Sequence, residues 1–336
     1  MFGLMTSALA ILNYNGLNLL KLFLKENIKN TPNTKTYIID NNSNDGSIEF
    51  VKTKFPDVKI IRLEKNLGYA GGYNEAVKHI NEDLIFFLNN DAVFLDQKSF
   101  LDIIRVFEKN NEVSVAQPSI IDYNNKEKYE YAGASGGFID FFGYPFCRGR
   151  VVKNLENCNK YNTTREVFWA SGCCFVVRKK IFTKLNGFDD EFFAHMEEID
   201  FCWRLKNEYV NNKIISIGKA KVFHIGAGTL NYNSPKKYYL NFRNSLLMLI
   251  KNVPSKFLFI VLFFRLISDS FIVMVSFLKL NPKLSYSILR AYAYFILNFF
   301  SIIKKRAKNE KVDNYYYCFS LLINYYLMQR KSFSSF

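Results

Sequence analysis

The sequence predicts an α/β protein whose first half forms a doubly wound, largely parallel sheet. Short apolar runs alternate there with segments of helical pattern, which is typical of a parallel sheet covered by helices. Such sheets bind ligands at the carboxyl ends of their strands, and the polar stretches 13–16, 40–47 and 89–92 occupy those ends. The runs are SALAILN, TYIID, VKIIR and LIFFLNND, and the helical segments lie around 16–29, 46–55 and 70–82.

The following part of the chain is less regular. Residues 113–165 are rich in Gly, Tyr and Asn, a composition that predicts a mobile loop region. Regular structure is expected to return with a strand broken at Ser171 and Gly172, and then with a helical pattern. The segments concerned are VFWASGCCFVVRK, NGFDDEFFAHMEEIDFCWRLK, the short strands KIISI and KVFH, and the turn IGAGT.

Positive charge is concentrated near the C-terminal end of the 336-residue chain. Residues 233–336 hold 16 Lys and Arg against three acidic residues, which places +13 of the formal net charge of +15 there. This asymmetry predicts an anionic partner, either nucleic acid or an anionic membrane surface. We therefore expect a near-neutral domain over 1–232 and a basic, aromatic helical region over 233–336.

The cysteines and the N-terminal segment indicate the environment of the protein. The six cysteines show no CxxC or Cys/His spacing of a zinc site, and we interpret them as free thiols in a reducing compartment. The N-terminal segment lacks the basic region and the small-residue cleavage site of a signal peptide. Its apolar run is therefore expected to be the first buried strand.

The segment HMEEIDFCWR crowds three carboxylates, Glu197, Glu198 and Asp200, into four positions. Each carboxylate costs free energy to desolvate unless a cation or a proton-transfer role keeps it. At about 100° per residue, Glu197 and Asp200 lie near one another on a helix, whereas Glu198 points elsewhere and is free to face a cleft. Taken alone, the cluster is equally well explained as a solvated helix face.

Two further residues are candidate ligands of a divalent cation. Asp91 follows an apolar strand in LNND, and a carboxylate there can anchor the hard cation that offsets the charge of a nucleotide diphosphate. His224 ends the strand KVFH beside a Gly-rich turn. Taken singly, each has a structural alternative: Asp91 as a turn former and His224 as a hydrogen-bonded histidine at a strand end.

A glycine-rich stretch, NLGYAGGYN at 66–74, places Gly68, Gly71 and Gly72 just before a helix. It is similar to loops in which the backbone approaches a phosphate at a helix N-terminus, although a plain turn is the alternative. The spacing is not GxGxxG, so a dinucleotide-binding fold gains little support.

In their order along the chain, these segments resemble the inverting family 2 glycosyltransferases of the GT-A fold, and in particular the bacterial rhamnosyltransferase-like branch. The resemblance covers roughly residues 6–250. It implies a Rossmann-like mixed sheet with a nucleotide-binding half over 1–95, an acceptor half over 96–232 and a helical, amphipathic C-terminal extension. The motifs that carry it are ALAILNYNG, IIDNNSNDGS, NLGYAGGYN, LNND, SGCCFVVRKKIFTKLNGFDDEFFAHMEEIDFCWRLK and VFHIGAGT.

The resemblance also implies catalytic and metal-binding roles. Glu198 takes the position of the family's general base, with Glu197 as its nearest rival. His224 corresponds to a downstream metal-binding histidine, and Asn89 stands where many members have the first Asp of the DXD motif. Asp91 is then the main side-chain ligand of the expected cofactor, Mg²⁺ or Mn²⁺.

The donor and acceptor sites are implied in the same way. Trp169 and Asp200 correspond to acceptor-side residues, and Asp40 with Asn41 corresponds to the pair that meets the base and ribose of the donor. The donor site as a whole is expected to comprise Asn13, Tyr14, Asp40, Asn41, Gly71, Gly72, Asn89, Asn90 and Asp91.

The implied activity is the transfer, with inversion, of a sugar from a dTDP- or UDP-linked donor to a hydroxyl of a lipid-linked glycan in cell-surface polysaccharide or glycoconjugate synthesis. No nucleic acid partner is expected. Two alternatives stay open. A nucleotidyltransferase should carry a Gly-rich, basic phosphate loop after the first strand, which NYNGLNLLK does not provide. A catalytically silent protein would instead use the basic tail to bind a glycan or a nucleic acid.

The C-terminal region is expected to lie on the cytoplasmic face of the cell membrane as a peripheral or monotopic element. Residues 257–280 are long enough to span a bilayer, but a polar stripe and its counterpart in 287–305 predict two amphipathic helices. The basic run 304–311 would then face anionic headgroups, while packing on the catalytic domain or on a second subunit is the alternative. A spanning hairpin would bury Arg and Asp at roughly 2.5–3.5 kcal/mol each. The stripe comprises Arg265, Ser268, Asp269, Ser276 and Lys279.

Overall fold

The computed structural model describes residues 5–226, 234–306 and 312–336. Its first half alternates strands and helices as predicted, and four strands form a parallel group in the order β3-β2-β1-β4. Strands β1 and β4 are almost completely buried, which explains their nearly continuous apolar sequences. The elements are β1 (Ser7–Asn13), α1 (Leu17–Asn30), β2 (Lys35–Asp40), α2 (Ser47–Lys54), β3 (Lys59–Arg62), α3 (Gly68–Val77) and β4 (Leu84–Asn89).

The second half extends this sheet with strands of both directions. Strand β12 runs antiparallel to β4, β6 is antiparallel to β12, and β13 lies parallel to β6. Strands β5 and β11 both pair antiparallel with β13. The sheet is therefore mixed. These elements are β5 (Ala92–Phe94), α4 (Gln97–Lys109), β6 (Val113–Asp122), β11 (Thr164–Glu166), β12 (Cys174–Arg178), α5 (Lys179–Lys184), α6 (Glu197–Glu208) and β13 (Lys213–His224).

The prediction of a mobile loop region over 113–165 was wrong. Its first ten residues form the buried strand β6, whose apolar pattern is interrupted by polar residues that have internal partners. Gln117, for example, accepts a hydrogen bond from the Ser171 amide at 2.8 Å. The following residues form a second, antiparallel sheet of β7 (Gly137–Ile139), β8 (Pro145–Cys147), β9 (Arg150–Val151) and β10 (Asn154–Leu155).

Two strand predictions were also corrected. The two short strands expected near residues 213 and 224 are one strand, β13, with a register irregularity between Ile217 and Lys221. The strand expected over 167–179, broken at Ser171 and Gly172, is regular only after that break, as β12, and Trp169 before the break makes an isolated bridge to Gly137. All six cysteines lie in the described ranges and are free thiols, as predicted.

The C-terminal region packs on the preceding part of the chain. Helix α7 contributes residues 247–250 to the main hydrophobic core, so the core continues across the boundary predicted at residue 232. The last described segment packs on the second sheet, where Phe333 contacts Phe138 and Phe146. The helices are α7 (Pro235–Asn252), α8 (Ser255–Leu278), α9 (Pro282–Leu297) and α10 (Phe299–Lys304).

Helix α8 is oriented with its polar side inward. Arg265, Asp269 and Ser276 of the predicted polar stripe are buried, whereas Lys279 is exposed. In the described part of the chain, α8 alone is long and apolar enough to cross a membrane. Its apolar side and that of α9 face outward and form what we term the apolar helix surface: Phe259, Ile260, Phe263, Phe264, Leu266, Ile267, Phe271, Met274, Phe277, Leu278, Tyr286, Leu289, Ile296 and Leu297.

A buried polar network holds α8 against the rest of the molecule. The Arg265 Nε donates to both oxygens of Asp269, at 3.2 and 3.1 Å, and its guanidinium lies 4.1 Å from the Tyr144 ring. The Asp269 carboxylate also accepts hydrogen bonds from the hydroxyls of Tyr144 and Tyr292. Part of the predicted basic run, residues 307–311, lies outside the described residues.

Candidate active site

Asp91 and His224 come together at the carboxyl ends of β4 and β13. The Asp91 Oδ1 lies 3.0 Å from the His224 Nε2, and both side chains are buried. On the other side of the imidazole, Nδ1 lies 3.1 Å from the Glu130 Oε2. The histidine therefore lies between two carboxylates, with Glu130 on the side away from Asp91.

The donor set fits a hard divalent cation. Adjacent ligands of an octahedral Mg²⁺ at 2.0–2.1 Å are about 3.0 Å apart, which is the separation of Asp91 and His224. A carboxylate behind a ligating histidine is the usual outer partner of such a site. However, the structure groups no set of three His, Cys, Asp or Glu ligands within its described ranges. The remaining positions would fall to water and the nucleotide diphosphate.

The charge state of His224 also bears on cation binding. Burial disfavours the imidazolium, but the Cys173 thiol and the carboxylates of Asp91 and Glu130 outweigh it and raise the pKa of His224 well above its ordinary value. The proton on Nε2 then occupies the place that a cation would take.

Asparagine side chains surround this pair. The Asn89 amide nitrogen lies 3.4 Å from the His224 Nε2, and Asn90 donates to Asn13 at 3.0 Å. Asn13 in turn donates to Ser43 and Ser47 at the start of α2. A side chain at Gly16 would come within 2.3 Å of Asn90, so a glycine is needed for this close packing. The three predicted asparagines thus lie together and tie β1 to β4.

Glu198 is placed by an unusual loop before α6. Phe193, His195 and Met196 all have positive φ, at 62°, 72° and 71°, a conformation that side chains other than Gly rarely adopt. We term residues 193–196 the catalytic loop. The loop sets Glu197 and Glu198 in the first turn of α6, where the helix dipole favours negative charge.

The three clustered carboxylates have different surroundings, as the helical pattern predicted. Glu197 and Asp200 are buried, whereas Glu198 is half-buried and faces Gly172, whose added Cβ would lie 3.8 Å from the Glu198 carboxyl carbon. Cys173, the next residue, influences the pKa of His224. Gly172 and Cys173 therefore lie between Glu198 on one side and the Asp91–His224 pair on the other.

The two neighbouring glutamates titrate abnormally. Burial raises the pKa of Glu198 to about 7, although backbone hydrogen bonds oppose the shift. Burial and the charge of Glu198 raise the pKa of Glu197 well above its ordinary value. The Oε2 of each glutamate has no hydrogen-bond partner among the described residues. Glu198 is the less buried of the two and lies beside Gly172, which favours it over Glu197 as the proton acceptor.

Helix α7 holds the catalytic loop in its strained conformation. The Asn244 side-chain amide donates to the carbonyls of Phe192, Ala194 and His195 at 2.7–2.9 Å. Arg243 donates to the carbonyl of Glu191 at 2.6 Å. These bonds satisfy the loop carbonyls and stabilise the position of Glu198 through the loop.

Asp200 lies in the protein interior and contacts only internal partners. It is completely buried, pairs with Arg204 at 2.8 Å and with Lys251 at 2.9 Å, and accepts a hydrogen bond from Asn252 at 2.8 Å. Its pKa is lowered because Lys251 and Arg204 more than offset burial. Trp169 is also buried and donates to the Phe138 carbonyl at 3.0 Å. The predicted direct acceptor contacts of Asp200 and Trp169 are therefore not supported.

We expect Asp200→Ala to lower the free energy of unfolding by about 3 kcal/mol, because it removes the carboxylate that pairs with Arg204 and Lys251, while Lys251 keeps its pair with Asp189. Chemical denaturation of the full chain measures the loss. Asp102→Ala is the matched control, since Asp102 pairs with exposed Lys98 and Arg105 and should cost at most about 1 kcal/mol. An Asp200→Ala protein as stable as the control would contradict the structural assignment.

The glycine-rich stretch does not form a phosphate loop. The backbone amides of Tyr69 and Ala70, at the start of α3, donate to the Phe193 carbonyl at 2.6 and 3.2 Å. Gly71 and Gly72 are buried, and an added Cβ on Gly72 would lie 2.7 Å from Leu12. Gly72 thus allows close packing of α3 on β1, and the donor contact expected of Gly71 and Gly72 stays a prediction.

Asp40 and Asn41, which were predicted to contact the base and ribose of the donor, differ in their contacts. Both ends of the Asn41 amide are used, because it donates to the Gly68 carbonyl and accepts from the Leu67 amide. The Asp40 Oδ2 has no hydrogen-bond partner in the described part of the chain and lies 3.6 Å from the Arg62 Nε. Tyr14 is exposed at the end of β1. Asp40 and Tyr14 thus keep groups available for a donor, and Asn41 positions the loop before α3.

The sequence interpretation missed several residues of the site. Glu130 lies in the stretch taken for a loop, and no motif marks it. Asn244 and Arg243 lie on a helix that was assigned to the tail. Cys173 was counted only among the six free thiols, although Ser171-Gly172 before it was recognised as a break in the strand.

Comparisons with known proteins identify the class of protein. The mixed sheet and the carboxylate–histidine site at its strand ends define a GT-A glycosyltransferase fold, and a crystal structure of GalNAc-T7 with UDP, GalNAc and Mn²⁺ is similar to it with a TM-score of 0.58. That match covers 75% of this chain and 49% of the other at 16% identity. The chain belongs to Glycosyl transferase family 2, whose model matches residues 9–185.

Curated relatives agree with this assignment. The low-salt glycan biosynthesis hexosyltransferase of Haloferax volcanii is 23% identical over 199 residues, which cover 57% of this chain and 60% of the relative. The N-acetylglucosaminyl-diphospho-decaprenol L-rhamnosyltransferase of Mycobacterium tuberculosis is 26% identical over 226 residues, covering 56% and 70% respectively. The predicted family and fold are confirmed, and the protein is a glycosyltransferase of family 2.

Proposed function

We propose that this glycosyltransferase moves a sugar, with inversion and with the aid of Mg²⁺ or Mn²⁺, from a dTDP- or UDP-linked donor to a hydroxyl of a lipid-linked glycan. The observation that carries the proposal is the placement of Glu198, with its raised pKa, opposite the segment that also borders the Asp91–His224 pair. The named activity of the mycobacterial relative, which acts on a decaprenol-linked sugar, supports a lipid-linked acceptor.

The residues divide the reaction between them. Glu198 accepts the proton of the acceptor hydroxyl while that oxygen forms a bond to the anomeric carbon. The bond from the same carbon to the diphosphate oxygen breaks, and attack from the opposite face inverts the configuration. Asp91 and His224 would hold the cation, which offsets the charge on the departing nucleoside diphosphate. Asp40 would contact the base of the donor through its Oδ2, which lies 3.6 Å from the Arg62 Nε.

Incubation of purified full-length protein with nucleotide sugars tests the proposal. We expect release of nucleoside diphosphate and glycosylation of a polyprenyl-diphosphate-linked sugar, both dependent on Mg²⁺ or Mn²⁺. A thermal-shift panel of nucleotide sugars with and without Mn²⁺ identifies the donor, because binding to the folded state raises the melting temperature. If no nucleotide sugar supports turnover or raises the melting temperature, the proposal is wrong and the alternative of a catalytically silent binding protein is favoured.

The pH dependence of kcat/KM should report Glu198. The base acts in its deprotonated form, so activity should be lost at low pH and rise with pH through a midpoint near 7. An ordinary glutamate would place this midpoint near 4.3. Donor binding measured over the same pH range controls for protonation of His224, and a rise in kcat/KM that only follows donor affinity would contradict the assignment.

We also propose that the protein acts at the cytoplasmic face of a membrane, with α8 and α9 lying in the interface. The apolar helix surface is far larger than the scattered exposed apolar residues of a soluble protein. The polar side of α8 faces inward, where Asp269 accepts hydrogen bonds from Tyr144 and Tyr292. A lipid-facing orientation explains why the polar stripe is inside.

Loss of two exposed aromatic side chains should weaken membrane binding. Phe259 and Phe277 are 83% and 71% exposed, and burial of one Phe contributes about 1.5–3 kcal/mol, so replacing both by Ser should reduce vesicle affinity by at least about 100-fold. Flotation with phosphatidylglycerol-containing vesicles measures this. Val210→Ser is the control because Val210 is exposed but lies on the turn after α6. An equal effect of both variants would contradict the interface assignment.

A further inference from the structure

A cleft of about 450 Å³ lies between α7 and α9, beside the catalytic loop. This volume is within the range of small-molecule sites. The loop contributes Phe193 to its wall, and the two helices contribute Lys236, Arg243 and Arg290 together with Tyr239 and Tyr286. The residues that line the cleft do not include Asp91, His224 or Glu198, and none of them transfers the proton or would hold the cation in the reaction described above.

The walls of the cleft carry positive charge that is not neutralised by carboxylates. Among the described residues, no acidic side chain forms an ion pair with Lys236, Arg243 or Arg290. Arg243 is buried and uses Nε and Nη2 on neutral oxygens of the backbone and of Asn244. The Lys236 ammonium lies 4.6 Å from the Phe193 ring, and the Arg290 guanidinium lies 4.3 Å from the Tyr239 ring. The cleft therefore favours an anion with more than one negative charge.

The surroundings of the cleft restrict which anion this is. On one side, Tyr286 and Leu289 of α9 belong to the apolar helix surface, at 67% and 59% exposure. On the other side, Phe193 begins the catalytic loop that leads to Glu198. A ligand in the cleft thus lies between a surface suited to hydrocarbon and the residue suited to accept a hydroxyl proton.

We propose that this cleft binds the diphosphate group that joins a polyprenyl chain to the acceptor glycan. The chain would lie against the apolar helix surface, and the glycan would extend past Phe193 toward Glu198. This inference rests on the proposed function, because it assigns a site to the lipid-linked acceptor. The two tyrosine hydroxyls and three cations match the several oxygens of a diphosphate.

Binding of geranylgeranyl diphosphate in neutral detergent micelles tests the inference without any donor sugar. The double variant Lys236→Gln/Arg290→Gln removes two exposed cations from the cleft and leaves Arg243 in place to hold the loop. Lys279→Gln/Lys283→Gln is the matched control, since it removes two exposed cations of the same helical region that do not line the cleft. We expect about a 100-fold loss of affinity in the cleft variant, roughly tenfold for each charge-assisted hydrogen bond, and a much smaller loss in the control.

Two further probes separate the possible sources of the anion. Binding to phosphatidylglycerol vesicles should fall no more in the cleft variant than in the control, and inorganic pyrophosphate should bind the unaltered protein more weakly than the prenyl diphosphate. Equal losses in both variants, or pyrophosphate binding as strong as that of the lipid, would overturn the inference. Because no transfer is measured, failure here leaves the proposed reaction intact, and failure of transfer leaves this binding result standing.

Discussion

Replacement of Glu198 by Gln is expected to lower kcat for sugar transfer by roughly 10²–10⁴-fold, the usual range for removal of a general base. The amide keeps the size of the side chain and its position in the first turn of α6 but cannot accept the proton. Nucleotide-sugar binding should be almost unaffected, because the donor groups Asp40, Asp91 and His224 lie on other elements. Single-turnover kinetics and a donor titration by calorimetry separate the two quantities.

Glu197→Gln is the matched control for this experiment. Glu197 is buried, whereas Glu198 is half-buried and lies beside Gly172, so Glu197 is not placed to accept the proton of an acceptor hydroxyl. We expect a far smaller loss of turnover than for Glu198→Gln. The reverse pattern, with an active Glu198 variant and an inactive Glu197 variant, would move the catalytic role one residue along α6.

The second large effect is expected for the cation site. Asp91→Ala should weaken cation-dependent donor binding by at least about 100-fold, since even outer partners of ligands are worth about 10–100-fold. His224→Ala should be less damaging, because hard cations prefer carboxylate oxygen. Thermal shifts with a nucleotide sugar in the presence and absence of Mn²⁺ measure both variants, relative to the melting temperature of each protein without ligand.

Glu130→Gln provides a sharper comparison within the same site. Glu130 contacts the far nitrogen of His224 and not its Nε2, so it acts on the cation through the orientation and the pKa of the imidazole. Loss of this outer partner should cost about 10–100-fold in cation affinity. Full activity of the unaltered protein in the presence of EDTA would refute the cation assignment for all three residues.

The sequence predicted those parts of the structure that depend on local pattern. Continuous apolar runs identified β1 to β4, since buried parallel strands have such sequences. Because ligands bind where the carboxyl ends of strands meet, Asp91 and His224 at two strand ends were both predicted as cation ligands, and they lie together in the structure. The helical period separated Glu198 from Glu197 and Asp200, and the structure shows that separation.

The remaining features depend on contacts between distant residues. The strand β6 was hidden because its polar side chains find partners elsewhere, such as Ser171 for Gln117. The start of α3 has the sequence of a phosphate loop, yet its amides are taken by Phe193, more than a hundred residues away. The contact of Glu130 with His224 exists only in the folded chain and could not be predicted from the sequence around Glu130. None of these pairings has a local signal.

The packing of the C-terminal segment on the second sheet has a consequence for biosynthesis. Tyr315 donates to the Phe141 carbonyl at 2.6 Å, and the Leu321 amide donates to Asp140 at 2.8 Å, contacts that span 174 and 181 residues. This packing on the second sheet therefore forms only after that segment has left the ribosome, and α8 emerges earlier with its apolar side uncovered. Slow closure of such distant contacts leaves a nascent chain prone to aggregation. Early capture of α8 by a lipid surface would shorten that exposure, so production with membranes present should improve the yield of folded protein.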